Sequence, residues 1–277
     1  LTQAHGVLVT ETATALEAAL LEVDEIKRLD PPYNVHLKER DRQAWFSDRT
    51  GEVGTEPSDE RPLGPFPSAV AVRGLGALIA LLGGAAPSPK IRAAAVGVPE
   101  AFAPDESTFA EAWAELVTTS LSVGRTPWGR FVRGAKRLRG TEEPESDDTT
   151  QGWDHARIVR HLERTLRGAG QLLRRARVLT ILSESNVTFR EVGAREARAL
   201  VVRRGAVTAG ASGAAIERPA RVSWRERQRV FDAGAYDRLR VLWTEIVRVE
   251  QEGGDVIVEL PGARLEGDRV RRLLGIV

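Results

Sequence analysis

The chain has 277 residues, which is enough for one large or two small domains with cores of their own. Its 40 Lys and Arg residues nearly balance 39 Asp and Glu residues, so the net charge of +1 does not by itself indicate a nucleic-acid partner. The lack of cysteine excludes disulfides, thiolate metal sites and cysteine nucleophiles, and it suits a cytoplasmic protein. No apolar run reaches the roughly 18 residues of a membrane span, so we expect no membrane partner.

The first elements are predicted close to the start of the chain. The chain lacks methionine and begins at Leu1 in the middle of a pattern, so we expect it to be part of a longer protein. Gly6–Thr10 (GVLVT) is rich in β-forming residues, which predicts a strand. Thr12–Leu29 has apolar residues at helical spacing, which predicts a helix with Thr14 and Glu17 as a capping box.

The middle of the chain predicts a loop followed by helices. Arg49–Pro67 is rich in glycine, proline and acidic residues, which is typical of a loop. Ser68–Leu82 follows as a helix with Ser68 as its N-cap. Further helices are predicted at Ser107–Ser120 and Trp128–Leu138.

The last part predicts a linker, a long helix and a small sheet. Thr141–Gly152 is acidic and polar with no apolar residue to bury, which indicates a linker. A long helix is predicted from Asp154 to Leu182, and another over Trp224–Val249 with a break near Gly234. The remaining predicted elements are the strands Asn186–Glu191, Ala199–Val202, Ala206–Ala209 and Asp255–Leu260 and the helix Asp268–Leu274.

One segment near the start carries a family pattern. Glu17–Lys27 (EAALLEVDEIK) is followed by Pro32-Tyr33-Asn34 and then by Leu37-Lys38. The order and spacing resemble the later half of the GIY-YIG nuclease domain, in the form found in UvrC-type excinuclease subunits. Further along, Gly64–Ser68 (GPFPS) resembles the segment that follows the nuclease domain in those proteins.

The resemblance implies a role for four residues. Glu22 aligns with the glutamate that holds a single divalent metal, Mg²⁺ or Mn²⁺, and Asn34 aligns with the asparagine that closes the site. Lys27 and Lys38 would contact phosphates. A metal held by one or two carboxylates would offset the charge that develops on the phosphate as water attacks it. The expected reaction is hydrolysis of phosphodiester bonds in DNA during nucleotide excision repair.

The chain also departs from the family. The tyrosine-bearing strands and the catalytic arginine lie upstream in the family and have no counterpart here, and Asp41 stands where a lysine is usual. We therefore expect the chain alone to be inactive. Ala235–Leu242 (AYDRLRVL) resembles the end of proteins that join a DEDD exonuclease domain to a GIY-YIG domain, so the longer protein is expected to be a metal-dependent endonuclease with an exonuclease domain as a further possibility.

A basic stretch, Arg125–Arg139 (RTPWGRFVRGAKRLR), has six positive charges and no acidic residue. Its interleaved aromatic residues, Trp128 and Phe131, either stack on bases or pack inward. The candidate DNA-binding residues of this stretch are Arg130, Arg133, Lys136 and Arg137. The acidic linker that follows is expected to compete with DNA for them.

Other motifs give weaker indications. Arg157–Arg177 carries seven arginines, and its leucine stripe favours packing while its charge excess is compatible with DNA binding. The four histidines lack metal-ligand spacing. Gly74-Leu75-Gly76 lacks the third glycine of a dinucleotide fingerprint, and Arg204–Gly213 lacks the Lys-Ser/Thr pair of a phosphate loop, which favours a hairpin or loop.

Together these patterns predict an α+β protein. Residues 1–48 would form the back half of a GIY-YIG domain, 49–140 a loop and helical region, 141–152 a linker, and 153–277 a domain of helices packed on a small sheet. The expected function is part of a DNA repair endonuclease. The alternative is a non-catalytic module that binds DNA or another repair-complex subunit, and a third possibility is an interaction protein with no DNA role.

Overall fold

The computed structural model describes residue 6 and residues 8–12, 14–29, 44–139, 152–209 and 217–276. Within this part the protein has the predicted α+β class, with antiparallel sheets packed by helices. The α-helices are α1 (Ala15–Leu29), α2 (Ala69–Leu82), α3 (Pro89–Val96), α4 (Glu106–Thr119), α5 (Pro127–Arg137), α6 (His155–Leu182), α7 (Trp224–Arg229), α8 (Ala233–Gln251) and α9 (Asp268–Leu274). The strands are β1 (Trp45–Ser47), β2 (Val53–Gly54), β3 (Leu63–Phe66), β4 (Ser185–Arg190), β5 (Arg198–Arg203), β6 (Ala206–Ala209), β7 (Asp255–Leu260) and β8 (Ala263–Glu266).

The chain divides into two compact units, and each unit combines separate stretches of sequence. The helical unit comprises Gln43–Thr180 and Ser223–Arg229, and the sheet unit comprises Leu1–Arg42, Ile181–Val222 and Val230–Val277. The predicted boundaries were consecutive. The observed units are interleaved because α1 joins the C-terminal strands and α7 joins the helices of the middle segment.

The helical unit contains a small antiparallel sheet in the order β2-β1-β3. Phe46 on β1 and Phe66 on β3 are completely buried. Two residues after β3, the Ser68 hydroxyl accepts a hydrogen bond from the Ala71 N–H at 3.2 Å and starts α2, which confirms the predicted N-cap. The core of this unit joins the apolar sides of α2, α4, α5 and α6; its largest fully buried helical members are Leu75, Leu78, Phe109, Leu116, Phe131, Ile158, Leu162 and Leu166.

Two glycines in α2 permit close packing. A Cβ atom at position 74 would lie 2.6 Å from the Thr165 Cγ2 atom of α6, and one at position 76 would lie 3.1 Å from the Gly51 Cα atom. Gly51 itself has φ +95° in the turn between β1 and β2. The Gly74-Leu75-Gly76 motif therefore serves packing in the middle of a helix, which agrees with the missing third glycine of the nucleotide fingerprint.

The sheet unit contains a five-stranded antiparallel sheet in the order β6-β5-β4-β7-β8. Alternate residues of its central strands are buried, namely Val187, Phe189, Leu200, Val202, Val256 and Val258. Helix α8 contacts β4, β6 and β7, and it contributes the buried residues Leu239, Leu242, Ile246 and Val249. The alternation identified at Asp255–Leu260 is thus confirmed as a strand with one buried face.

Helix α1 belongs to the sheet unit and packs on α8. Leu16, Val23 and Ile26 form its buried stripe. Asp24 Oδ1 accepts a hydrogen bond from Arg238 Nη1 of α8 at 2.8 Å. The helix that carries the nuclease-like pattern is therefore a packed element of the unit built from the C-terminal half of the chain.

Several expected boundaries are confirmed. The Glu17 N–H donates to the Thr14 hydroxyl at 3.1 Å, as the capping box predicts. The long helix of Asp154 to Leu182 is observed as α6 without a break, and the strand Ala206–Ala209 is observed as β6. Hairpin geometry between β5 and β6 comes from Arg204 and Gly205, which have φ +51° and +77°.

Other expectations differ from the structure. The described residues of Gly6–Thr10 form no strand, and Leu8 is 95% exposed, because no described strand lies beside them. Arg49–Pro67 contains β2 and β3, whose two and four residues are too short to show alternation. The break expected near Gly234 within Trp224–Val249 is observed between α7 and α8, where Asp232 starts the second helix by accepting from the Ala235 N–H at 2.7 Å. The other elements that were not predicted are β1, α3, the three-residue 3-10 turn Glu100–Phe102 and β8.

The predicted linker lies mostly outside the described residues. None of the helices within the described ranges is long and apolar enough to cross a bilayer.

Candidate nucleic-acid interface

Helix α5 has a well-defined start and two different sides. Thr126 accepts a hydrogen bond from the Gly129 N–H at 3.0 Å, and Pro127 occupies the first turn, where its missing N–H is not needed. Lys136 and Arg137 lie in the last turn, where cations favour the negative end of the helix dipole. These local signals set the start of this basic helix and favour cations at its end.

The inward side of α5 is apolar. Phe131 is completely buried, and Trp128 is half-buried and stacks on it with ring centroids 5.7 Å apart. The Arg49 guanidinium carbon lies 6.0 Å from the centroid of Trp128. Of the two interpretations of these aromatic residues, inward packing is the observed one for Phe131, which is not accessible to a base.

Two of the four candidate cations hold the end of α4. Arg130 Nε donates to the Leu121 carbonyl at 2.8 Å, and Arg137 Nη1 donates to the Thr119 carbonyl at 2.6 Å. Carbonyl groups at a helix C-terminus lack partners within the helix, and arginine donors satisfy them. Arg130 and Arg137 therefore have a structural role, whether or not their remaining N–H groups meet a phosphate.

The other two candidate cations point to solvent. Arg133 and Lys136 are exposed, and neither has an ion pair or side-chain hydrogen bond with any described residue. They lie three residues apart, so they are neighbours on the helix surface. Arg139, also exposed, continues the same three-residue spacing just beyond the end of α5. We call Arg133 and Lys136 the basic row.

Helix α6 crosses α5 near the end of the basic row. A Cβ atom at position 170 would lie 2.7 Å from the Ala135 Cβ atom, so the glycine permits this contact. Arg167 Nε donates to the Leu138 carbonyl at 3.3 Å. Arg174 lies one turn after Gly170 and is partly buried. Burial and the nearby charge of Arg139 lower the pKa of the Arg174 guanidinium.

The remaining arginines of α6 include buried ones with structural contacts. Arg157 and Arg167 are both nearly inaccessible. Arg157 Nη1 donates to the Gly152 carbonyl at 3.2 Å, and its guanidinium carbon lies 4.8 Å from the ring centroid of Trp153. The charge excess of this helix is therefore not all available to a ligand, as the leucine stripe indicated.

The residues implied by the nuclease resemblance are described only in part. Glu22 is exposed on α1. Asn34 and Lys38 lie outside the described residues, as does the side chain of Lys27. In the described ranges, no three His, Asp or Glu side chains are grouped so that they would hold a metal ion. The metal role of Glu22 stays a prediction.

The Gly64–Ser68 segment has an observed structural role. The Gly64–Pro65 peptide bond is cis, and Gly64 has φ +135°, where a side chain would meet the Trp45 carbonyl and the Phe46 ring at 2.7 Å. Phe66 is buried in the core, and Ser68 caps α2. Gly64, Phe66 and Ser68 thus serve the join between β3 and α2.

The two histidines that the structure describes, His155 and His161, contact protein groups. His161 Nδ1 lies 2.9 Å from the Val96 carbonyl, and its ring meets Trp153 edge-on with centroids 5.1 Å apart. His155 Nε2 lies 3.3 Å from Glu115 Oε2.

Sequence reasoning did not single out Arg139 or Arg174. Both lie among many arginines, and a single sequence does not show which of them are packed against a second segment. Comparisons of the chain with models of protein families, with curated proteins and with solved structures return no match.

Proposed function

We propose that the helical unit binds the phosphate backbone of DNA through the basic row. The observation that supports the proposal is the exposure of Arg133 and Lys136 without an acidic neighbour among the described residues. Unpaired cations on a rigid helix neutralise phosphates and release counterions, which drives sequence-independent binding. This proposal corresponds to the binding-module alternative of the sequence analysis, and DNA is its partner.

The packing of the aromatic residues shapes the expected specificity. Phe131 is buried and Trp128 is stacked on it, so α5 offers little aromatic surface for unpaired bases. A row of cations without a stacking platform favours the regular phosphates of a duplex. We therefore expect duplex DNA to bind at least as well as single-stranded DNA of the same length.

The test is a binding titration of a fluorescein-labelled 20-base-pair duplex at low salt, followed by anisotropy. Arg133→Gln with Lys136→Gln should weaken binding about tenfold. The matched control is Arg73→Gln with Lys90→Gln, which removes the same charges from exposed positions of α2 and α3 in the same unit. Equal losses for the two double variants would contradict the proposal, because net charge alone would then account for binding.

We also propose that a longer protein containing this chain hydrolyses phosphodiester bonds in DNA as part of repair. This second proposal rests on the resemblance, and the exposure of Glu22 leaves its carboxylate accessible to a metal. The test is Mg²⁺-dependent or Mn²⁺-dependent nicking of supercoiled plasmid by the full-length gene product. Nicking that is lost in Glu22→Gln supports it. A folded, DNA-binding protein that does not nick, or a variant that nicks equally well, refutes it.

A further inference from the structure

The turn between β1 and β2 carries Arg49 and is closed by its own hydrogen bonds. The Asp48 carboxylate accepts from the Thr50 N–H at 2.8 Å, from the Thr50 hydroxyl at 2.6 Å and from the Glu52 N–H at 2.8 Å. The Asp48 N–H donates to the Glu52 carbonyl at 3.0 Å. These four bonds span the turn on both sides of Arg49, so its backbone has a defined shape.

Trp128 of α5 lies beside the Arg49 side chain. The Arg49 guanidinium carbon is 6.0 Å from the centroid of the Trp128 ring, which is within the range of a cation–π interaction. Trp128 stacks in turn on Phe131, with ring centroids 5.7 Å apart, and Phe131 is completely buried. The ring that contacts Arg49 is therefore held by the core of the helical unit, and it restricts where the guanidinium can lie.

Arg49 has no acidic partner in this position. The residue is exposed, and no described residue forms an ion pair or a hydrogen bond with its side chain. Both oxygens of the neighbouring Asp48 carboxylate accept bonds within the turn, which accounts for the lack of a local ion pair. The N–H donors of the Arg49 guanidinium therefore remain available, in a planar fork that matches the oxygens of a phosphate.

The contact with Trp128 places Arg49 at the start of the helix that carries the basic row. Trp128, Val132 and Lys136 follow one another at four-residue intervals, so each is a neighbour of the next on the surface of α5. The rise from Trp128 to Lys136 is about 12 Å. Val132 is 43% exposed, and Arg125–Arg139 contains no acidic residue that would repel a phosphate between them.

We propose that Arg49, held against Trp128, is a third phosphate contact of the DNA-binding surface. This inference rests on the DNA-binding function proposed above, and it extends the surface from α5 to the turn between β1 and β2. Arg49 and α5 are far apart in the sequence, so this surface forms only when the helical unit is folded. Trp128 acts as a positioning residue that keeps the guanidinium beside the helix.

The experiment measures the affinity of the labelled duplex at several salt concentrations. Arg49→Gln should weaken binding about threefold at low salt and make the slope of log affinity against log salt concentration shallower by about 1. Arg49→Lys keeps the charge, and its slope should stay within about 0.3 of wild type. Arg177→Gln is the matched control, because it removes the same charge from an exposed position of α6 in the same unit. An equal change in the control would overturn the inference.

The role of Trp128 is tested by a double-mutant cycle in the same assay. Trp128→Leu removes the ring beside Arg49 but keeps an apolar side chain against Phe131, and urea unfolding checks that the variant is folded under the assay conditions. If Trp128 acts through Arg49, the combined variant should bind no more weakly than Arg49→Gln alone. Losses of affinity that multiply in the combined variant would refute the positioning role.

The variants also separate this inference from the proposed function. If Arg49→Gln keeps the wild-type slope while Arg133→Gln with Lys136→Gln makes it shallower, the contact at Arg49 is refuted and the basic row stands. If Arg49→Gln makes the slope shallower while the double variant does not, Arg49 stands as a phosphate contact and the basic row is refuted. Wild-type slopes for both variants would overturn the inference together with the proposed function.

Discussion

Helices α5 and α6 are both rich in arginine, but they use it differently. On α5, Arg133 and Lys136 face solvent without described partners. On α6, Arg157 and Arg167 are nearly inaccessible and donate to carbonyl groups of other segments. The number of arginines in a helix therefore does not predict a nucleic-acid surface. Burial and the acceptor that each guanidinium meets decide between a ligand-binding role and a structural one.

The contrast extends to the two sides of α5 itself. Arg130 and Arg137 donate to carbonyls at and just beyond the end of α4, while Arg133 and Lys136 have no side-chain partner among the described residues. Residues three or four positions apart are neighbours on a helix, yet their side chains can contact different parts of the protein. We make four predictions from these differences, beginning with the substitution that should destabilise the protein most.

The largest effect is expected for the inward side of α5. Phe131→Ala removes a completely buried aromatic side chain and should lower the free energy of unfolding by about 3–5 kcal/mol. Urea unfolding monitored by circular dichroism measures it. The control is Val132→Ala at the adjacent position. Val132 is 43% exposed, so this variant should change stability by about 0.5 kcal/mol or less. Similar losses for both variants would contradict the two-sided description of α5.

The next effect concerns a buried arginine of α6. Arg167→Met removes the donor to the Leu138 carbonyl and should lower the free energy of unfolding by about 1–3 kcal/mol. Arg177→Met, at an exposed position of the same helix, should leave stability within about 0.5 kcal/mol of wild type. If the exposed substitution destabilises the protein as much as the buried one, burial does not distinguish the arginines of α6.

The third prediction is that loss of the two exposed cations of α5 barely changes the stability of the protein. Arg133→Gln with Lys136→Gln should alter the free energy of unfolding by about 0.5 kcal/mol or less, because both side chains are exposed. Arg137→Gln should destabilise more, by about 1 kcal/mol, since it leaves the Thr119 carbonyl without this donor. If urea unfolding showed a larger loss of stability for the double variant than for Arg137→Gln, the basic row and not the contact with the Thr119 carbonyl would support the fold.

The smallest effect is a pH dependence at the other end of α4. The Asp105 carboxylate accepts from the Thr108 N–H and from the Ser107 and Thr108 hydroxyls, and these bonds lower its pKa to about 2. A lowered folded-state pKa means that its contribution is present above its ordinary pKa of 3.8 and is lost as the pH falls toward 2. Asp105→Asn should reduce the loss of stability between about pH 4 and pH 2 in acid unfolding. If Asp105→Asn lost as much stability as the wild-type chain between about pH 4 and pH 2, this role of the Asp105 carboxylate would be contradicted.

Much of the fold could be predicted because local signals agreed with the tertiary structure. The Thr14 and Ser68 caps, the apolar spacing of α6 and the alternation of β7 are local patterns that also fit a buried face. The strands β2 and β3 could not be predicted, since they are short and their pairing with β1 is set by partners distant in sequence. The assignment of α1 to the sheet unit is likewise a property of its packing on α8.

The candidate site was predicted only as a stretch of charge. Spacing identified Arg130, Arg133, Lys136 and Arg137 as a group, but it could not show that two of them meet the carbonyls of α4. Those acceptors lie nine and eighteen residues away in the chain.

The most direct test of the central claim is the salt dependence of duplex binding, measured as the slope of log affinity against log salt concentration. The account predicts that Arg133→Gln with Lys136→Gln makes the slope shallower by about 2, one for each lost phosphate contact. The control Arg73→Gln with Lys90→Gln should leave the slope within about 0.5 of wild type. Equal slopes for the wild-type chain and the α5 variant, or an equal change in the control, would contradict the claim that exposed and unpaired cations of α5 form the DNA-binding surface.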